Sequence, residues 1–128
     1  MTTIAAPTKS VSTRTPEEVF QSHKEAIETL DFEKLAADYA EDAVLLTMDG
    51  AFKGREAILK GFFQAMVAQL PDGRINFERT AFEGDMCLLQ WSLEASAVVV
   101  PRGTAVFIIQ DGLIRRQGEW FQMFPVEE

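Results

Sequence analysis

The only histidine of the chain is the first residue whose type and position suggest chemistry. His23 belongs to an apolar helical face whose members recur at steps of three and four: Val19, Phe20, His23, Ala26, Ile27 and Leu30. An imidazole with an ordinary pKa of about 6.5 is a natural proton carrier near neutral pH. A lone histidine on such a face can equally be an inert core residue with a hydrogen-bond partner. The sequence leaves both interpretations open.

Two predicted strands supply polar side chains that could face His23. In the first, Met86–Val100, the residues Gln90, Ser92 and Glu94 alternate with Cys87, Leu89, Trp91 and Leu93. In the second, Leu113–Phe124, one face carries Gln117, Glu119 and Phe121. Each glutamate either lies on a solvated outer face or faces inward beside His23. A carboxylate partner would raise the pKa of His23, whereas burial beside a neutral amide would lower it.

Three helices are predicted before these strands. Thr15-Pro16-Glu17-Glu18 has the pattern of a capping box with proline at the first helical position, and this helix should end near Leu30. Asp31 can cap a second, short helix, which Glu41-Asp42 should end before a buried strand, residues 43–46. The third helix is expected over residues 55–70, followed by Pro71-Asp72-Gly73.

The second half of the chain is predicted to consist of strands joined by turns. Turn signals stand at Asp49-Gly50, Glu83-Gly84-Asp85, Pro101-Arg102-Gly103 and Asp111-Gly112. Helices followed by hairpin-linked strands indicate an α+β domain. We expect one domain over residues 15–128, preceded by a flexible tail over residues 1–14, which lacks apolar periodicity.

Composition limits the partners and cofactors of this domain. The net charge of −8 argues against nucleic acid and anionic membranes, because phosphate binding needs clustered Lys and Arg. The single cysteine, Cys87, excludes an intrachain disulfide and suggests a reducing, cytoplasmic setting. One His and one Cys do not make an ordinary zinc site, and no glycine-rich phosphate loop is present. We therefore expect neither a metal nor another cofactor.

Several short motifs together resemble one family of small domains. They are Tyr39–Val44, Asp49-Gly50, Gly54–Ile58, Leu89–Ser92, Gly103-Thr104, Phe107–Ile109, Asp111–Ile114 and Gln117. In order and spacing they are similar to nuclear transport factor 2-like proteins, which include SnoaL-like cyclases and ketosteroid isomerase. The resemblance implies a cone: a strongly bent antiparallel sheet wrapped around the first helix, with an interior pocket. Members often dimerise through the outer face of the sheet.

The resemblance also implies which side chains face the pocket. It points Gln90, Ser92, Glu94, Gln117, Glu119 and Phe121 inward. It points Trp91, Leu93, Ile114, Arg116 and Trp120 outward, and the apolar members of this outward set would form a homodimer interface. At positions where ketosteroid isomerase carries its tyrosine and two aspartates, this chain has His23, Thr47 and Ala105. Steroid isomerisation by that mechanism is therefore not expected.

Two functional hypotheses follow. The first is a SnoaL-like pocket protein that acts on a small, largely apolar substrate as an acid–base lyase, isomerase or cyclase. In it His23 transfers the proton with Glu119 or Glu94 as its partner, Gln90 and Gln117 hold a polar end of the ligand, and apolar walls come from Tyr39, Phe62, Met66 and Phe121. The alternative is a ligand-binding or dimerisation module without catalysis. Whether the chain is an enzyme is not decided by its sequence.

Overall fold

The computed structural model describes residues 13–126, and its first helix begins and ends where the sequence predicts. Helix α1 spans Pro16–Thr29. The Thr15 hydroxyl accepts a hydrogen bond from the Glu18 amide, and the Glu18 carboxylate accepts one from the Thr15 amide. Leu30 ends the helix in the left-handed conformation, with φ of 54°. The predicted capping box and helix end are confirmed.

The tail predicted over residues 1–14 falls almost wholly outside the described residues. Arg14 is described, and it is tied to the domain. Its guanidinium forms an ion pair with Asp38 at 2.9 Å and donates to the Gly112 carbonyl at 2.7 Å. Ser22 donates to the same Asp38 carboxylate. Arg14 is therefore part of the folded structure, where it joins α1 to the turn between the last two long strands.

The second helix is shorter than its apolar pattern suggests, because the chain becomes extended at Tyr39. Helix α2 spans Phe32–Ala37 and is capped by Asp31, as predicted. Strand β1 runs over Tyr39–Thr47, so the prediction that Glu41-Asp42 would separate helix from strand is wrong. The pairing of β1 is irregular between Tyr39 and Val44. An irregularity of this kind lets exposed acidic residues lie within a strand without ending it.

The predicted third helix is one helical stretch in three parts. Strand β2 spans Gly50–Lys53 and precedes α3, Arg55–Ile58. A π-helical segment follows over Leu59–Gln64, and α4 completes the stretch over Ala65–Gln69. The outer bounds agree with the prediction, whereas the π segment was not predicted. Such segments occur often at functional sites.

Five further strands complete a curved sheet. They are β3 (Arg74–Glu83), β4 (Met86–Glu94), β5 (Val98–Gln110), β6 (Leu113–Phe121) and β7 (Phe124–Pro125). The order is β2-β1-β6-β5-β4-β3, and β7 pairs with β5. The α+β architecture is confirmed. The sheet is not wholly antiparallel, because β1 and β6 pair in parallel. A long connection between two strands permits either direction.

The turn predicted at Pro101-Arg102-Gly103 is wrong, because all three residues lie within β5. The chain reverses between β4 and β5 instead, where the Ala95 amide bonds to the Val98 carbonyl. Glycine is required at position 103 for a different reason. A Cβ atom there would lie 2.1 Å from Cε2 of Trp91, so the indole occupies the space that a side chain would fill.

The inner face of β4 is apolar, contrary to the orientation that the resemblance implied. Its Cys87, Leu89, Trp91 and Leu93 are buried. Burying each large apolar side chain stabilises the fold by roughly 1.5–3 kcal/mol. Burying the polar residues of the opposite face instead would not give this stabilisation. Ile114 is also buried rather than outward, because the β5–β6 pairing is irregular at Ile109. Trp120 is outward, as expected. Among residues 13–126 no helix is long and apolar enough to span a bilayer.

We predict that Gly103→Ala destabilises the fold by at least about 1–3 kcal/mol, because the added methyl group forces the Trp91 ring out of place. Chemical denaturation measures this change. Gly118→Ala on β6 is the control, since its Cβ meets only a Val106 methyl group, at 3.2 Å. Adding Trp91→Leu to Gly103→Ala should recover part of the loss. Equal effects of the two glycine substitutions would contradict the predicted role of Gly103.

Candidate functional site

A cavity that is partly open to solvent lies between α1, the helical stretch and the inner face of the sheet. Its volume is about 120 Å³. Four of the predicted site residues line it: His23 from α1, Phe62 and Met66 from the helical stretch, and Glu119 from β6. The remaining lining is almost entirely aliphatic and aromatic. The cavity is therefore apolar, with one carboxyl group and one imidazole in its wall.

Glu119 is the acidic group of this cavity. Its Oε1 accepts a hydrogen bond from Trp91 Nε1 at 3.2 Å, and its Oε2 accepts one from Gln117 Nε2 at 2.6 Å. Burial raises the pKa of Glu119 to about 8, although both hydrogen bonds act in the opposite direction. At neutral pH this carboxyl group is mainly protonated and can donate a hydrogen bond or a proton.

Gln117 joins Glu119 to Tyr39 in a buried chain of hydrogen bonds. The Tyr39 hydroxyl donates to Gln117 Oε1, which leaves the amide nitrogen to face Glu119. Burial, and next the charge of Glu119, raise the pKa of Tyr39 well above its ordinary value. Tyr39 thus remains a neutral donor. The chain fixes which way the amide points, and so holds the carboxyl group in place.

His23 is buried, with only 2% of its surface exposed, and aromatic rings surround it. The ring centroids of Phe107, Tyr39 and Phe63 lie 5.2, 5.9 and 5.9 Å from that of His23. Burial lowers the pKa of His23 to about 3, so the imidazole is neutral. Its Nδ1 has no hydrogen-bond partner within residues 13–126. The predicted hydrogen bond from the sheet to this histidine is therefore missing, although its predicted place in the cavity is correct.

Five of the nine predicted site residues do not line this cavity: Tyr39 and Gln117 are buried without lining it, Phe121 lines a second cavity, and Glu94 and Gln90 lie on the outer face of the sheet. Glu94 is exposed and accepts a hydrogen bond from Asn76 at 3.5 Å, and Gln90 donates to Glu78 at 3.4 Å on the outer face. The prediction that they face the pocket is wrong. Because successive residues of a strand point to opposite faces, the inward Trp91 and Leu93 require the adjacent Gln90 and Glu94 to point outward.

A second cavity of about 430 Å³ adjoins the first. Phe121, predicted as a wall residue, lines this outer cavity rather than the inner one. Phe62, Met66 and Glu119 line both. Glu119 is thus reachable from two sides, and Phe62 and Met66 stand between the two spaces.

Trp91 and Phe63 are site residues that the sequence analysis missed. Trp91 lines the cavity and donates to Glu119, yet the resemblance placed it outside. The apolar alternation of β4 was the available signal for its true orientation. Phe63 lines the cavity beside Phe62 because the helical stretch widens there into its π segment. Within residues 13–126 no three His, Cys, Asp or Glu side chains lie close enough to hold a metal ion.

A family model of the SnoaL-like domain matches residues 20–117, which is more than half of the chain. The chain belongs to the SnoaL-like family. No curated protein matched this SnoaL-like chain at a significant level.

Solved structures, among them a nuclear transport factor 2-like protein, share the fold. A candidate polyketide cyclase from Sinorhizobium meliloti is 23% identical, with a TM-score of 0.69 over 84% of this chain and 97% of its own. A candidate ketosteroid isomerase from Kribbella flavida is 17% identical, with a TM-score of 0.72 over 88% of this chain and 81% of its own. A protein of unknown function from Cytophaga hutchinsonii is 13% identical, with a TM-score of 0.71 over 84% and 90%. At these identities the likeness establishes the fold.

The two buried titratable groups predict opposite pH dependences of stability. The pKa of Glu119 is raised from 4.5 to about 8 on folding, so its contribution is fully present below pH 4.5 and is lost as the pH rises through 8. The pKa of His23 falls from 6.5 to about 3, so its contribution is present above pH 6.5 and is lost as the pH falls through 3. Between pH 4.5 and 6.5 the stability that Glu119 contributes falls with rising pH, whereas the stability that His23 contributes rises.

We therefore expect the free energy of unfolding of the parent protein to fall between pH 6.5 and 8 by up to about 1.4 kcal/mol per pH unit. Glu119→Gln should abolish this fall. His23→Leu should abolish the corresponding fall on the acid side. Urea denaturation across the pH range measures both effects. Glu94→Gln, on the exposed outer face, is the control and should follow the parent protein. Parallel curves for Glu119→Gln and the parent above pH 6.5 would mean that this carboxyl group titrates normally.

Proposed function

We propose that this protein binds a small, uncharged, largely apolar molecule in the inner cavity and catalyses a proton shift on it through Glu119. The observation that carries the proposal is a carboxyl group, with a pKa of about 8, in an otherwise apolar wall. A group of this pKa serves as either acid or base near neutral pH. The reaction would be that of an isomerase, lyase or cyclase.

The role of Glu119 follows from its two states. The carboxylate removes a proton from a carbon beside a ligand carbonyl, which gives an enolate and the neutral acid. The neutral acid then returns the proton to another atom of the ligand, so the proton and the electron pairs balance. Trp91 and Gln117 keep the carboxyl group in place throughout, since each donates to one of its oxygens.

His23 has a different role from the proton transfer first expected of it. With a pKa of about 3 it remains neutral, and no hydrogen bond joins it to Glu119 within residues 13–126. A buried polar atom without a partner costs about 1–3 kcal/mol. The His23 Nδ1 atom has almost no accessible surface, so a ligand in the cavity does not reach it, and His23 is proposed to form a neutral part of the cavity wall.

A second candidate function is ligand binding without catalysis. It is favoured by the same absence of a contact between His23 and Glu119, because Glu119 then has no basic partner that would assist its ionisation. This candidate and the first share the cavity and differ only in whether a proton is transferred.

Cyclohexanone, a ring-sized neutral ketone, separates these possibilities. In Trp120→Phe, which leaves Trp91 as the only tryptophan, Trp91 emission should report binding. Because the neutral carboxyl group donates to the ketone, affinity should fall about tenfold per pH unit above pH 8. Glu119→Gln should bind without this dependence, since its amide remains a donor at every pH.

Deuterium exchange at the carbons beside the ketone, followed by NMR in D₂O, tests the catalytic step. The parent protein should accelerate the exchange, and Glu119→Gln should abolish the acceleration while it still binds. Glu94→Gln is the matched control and should exchange like the parent. Binding without exchange would establish the non-enzymatic alternative, and no binding would contradict both functions.

We also propose that a second copy of the chain covers the outer face of the sheet. Trp91, Leu93 and Ile114, first expected in this interface, are buried in the core. Other apolar residues would form the interface instead. The strand register aligns Leu88, Val106, Gly118 and Leu46 in one row across four strands. Leu88 and Leu46 are 51% and 58% exposed, and Trp120, two residues along β6 from Gly118, is 48% exposed.

Sedimentation should show a dimer at micromolar concentration that Leu88→Lys converts to monomer, because a lysine would bury a charge in the interface. Ala37→Lys is the control, because Ala37 is exposed and belongs to helix α2, not to the sheet. A monomeric parent protein would contradict the proposed interface.

A further inference from the structure

The two adjoining cavities differ in chemistry and share one wall. The inner cavity, of about 120 Å³, is apolar apart from His23 and Glu119. The outer cavity, of about 430 Å³, includes Thr47, Asp49 and Gln69 in its lining. Glu119 lies at the boundary, because it lines both. A molecule whose reacting atom lies at Glu119 can therefore extend in two directions with different surroundings.

Phe62 and Met66 form the partition between the cavities. They lie four residues apart on the helical stretch, so their side chains share a face. The Phe62 ring contacts Phe63 of the inner cavity at a centroid distance of 5.0 Å. On the other side it contacts Phe52 at 6.0 Å and Phe121 at 6.3 Å, both of the outer cavity. Aromatic rings on both sides hold it in position.

The volume of the inner cavity limits what it can hold. An apolar cavity of about 150 Å³ holds one benzene molecule. At about 120 Å³ the inner cavity accommodates roughly one six-membered ring, and a second fused ring needs space beyond this volume. Phe62 is the largest side chain in the part of the wall that the cavities share.

We infer that the two cavities are subsites for the apolar and polar ends of one amphipathic molecule, and that Phe62 limits the apolar end to about one ring. The ligand class is an uncharged carbonyl compound with a ring on one side of the carbonyl and a hydroxylated chain on the other. Thr47, Asp49 and Gln69 offer hydrogen bonds to that chain. This inference rests on the proposed function, since it places the ligand carbonyl at Glu119.

Three ketones test the inference by Trp91 emission in the Trp120→Phe background: phenyl methyl ketone, naphthyl methyl ketone, and phenyl ketone with a 3-hydroxypropyl group in place of the methyl. The parent should bind the phenyl ketone at least about tenfold more tightly than the naphthyl ketone. It should bind the hydroxypropyl compound more tightly than the methyl compound.

Phe62→Ala should bind the naphthyl ketone as well as or better than the phenyl ketone. Phe62→Leu keeps an apolar side chain and serves as the second variant if Phe62→Ala fails to fold. It should reduce the difference in affinity between the phenyl and naphthyl ketones. Gln69→Ala should weaken binding of the hydroxypropyl compound alone. Phe124→Ala is the matched control, because Phe124 is 47% exposed on β7 and lines neither cavity, and it should keep the parent preference for the phenyl ketone.

Each outcome has a separate meaning. Equal affinity of the parent for phenyl and naphthyl ketones, or an unchanged preference in both Phe62 variants, overturns the role of Phe62. Equal affinity for the methyl and hydroxypropyl compounds overturns the outer subsite. In either case binding that still depends on Glu119 leaves the proposed function intact. Failure of all three ketones and of cyclohexanone to bind contradicts the proposed function itself.

Discussion

The contact of the Trp91 indole with the backbone of Gly103 is the constraint on which the site depends. A Cβ at position 103 would lie 2.1 Å from the ring, so only glycine lets the indole lie across β5. From there its Nε1 reaches Glu119 on β6, and its ring contacts Phe121 at 5.5 Å. One glycine thus determines both the packing between three strands and the donor that holds the acidic group.

Burial sets the chemistry of the cavity as well as its stability. An apolar wall penalises any charge, so Glu119 keeps its proton and His23 stays without one near neutral pH. The hydrogen bonds from Trp91 and Gln117 favour the carboxylate, but they do not outweigh the loss of water. The cavity is therefore electrically neutral and suited to an uncharged ligand. Ionising Glu119 is costly, so the protonated form predominates at pH 7.

Local sequence signals predicted the structure wherever it depends on residues that are close together in the chain. The capping box at Thr15 and the turn at Asp111-Gly112 are local, and both are present. In that turn both residues have positive φ, which Asp and Gly tolerate best. Gly103 was misread as part of a turn because the reason for glycine there is Trp91, twelve positions earlier and on another strand. The parallel pairing of β1 with β6 is non-local in the same way.

The candidate site shows even more clearly that local sequence signals do not predict contacts between residues far apart in the chain. On β4 the buried face follows from the apolar residues themselves, and the expectation for Glu94 failed because a one-residue shift reverses every side chain. On β6 the reverse holds, since Gln117 and Glu119 point inward although both are polar. They can do so because Tyr39 and Trp91 supply hydrogen bonds from 78 and 28 residues away. A polar residue is buried only where such partners meet it. The inward carboxyl group is thus a property of the assembled sheet, and the amino-acid pattern of β6 alone does not determine it.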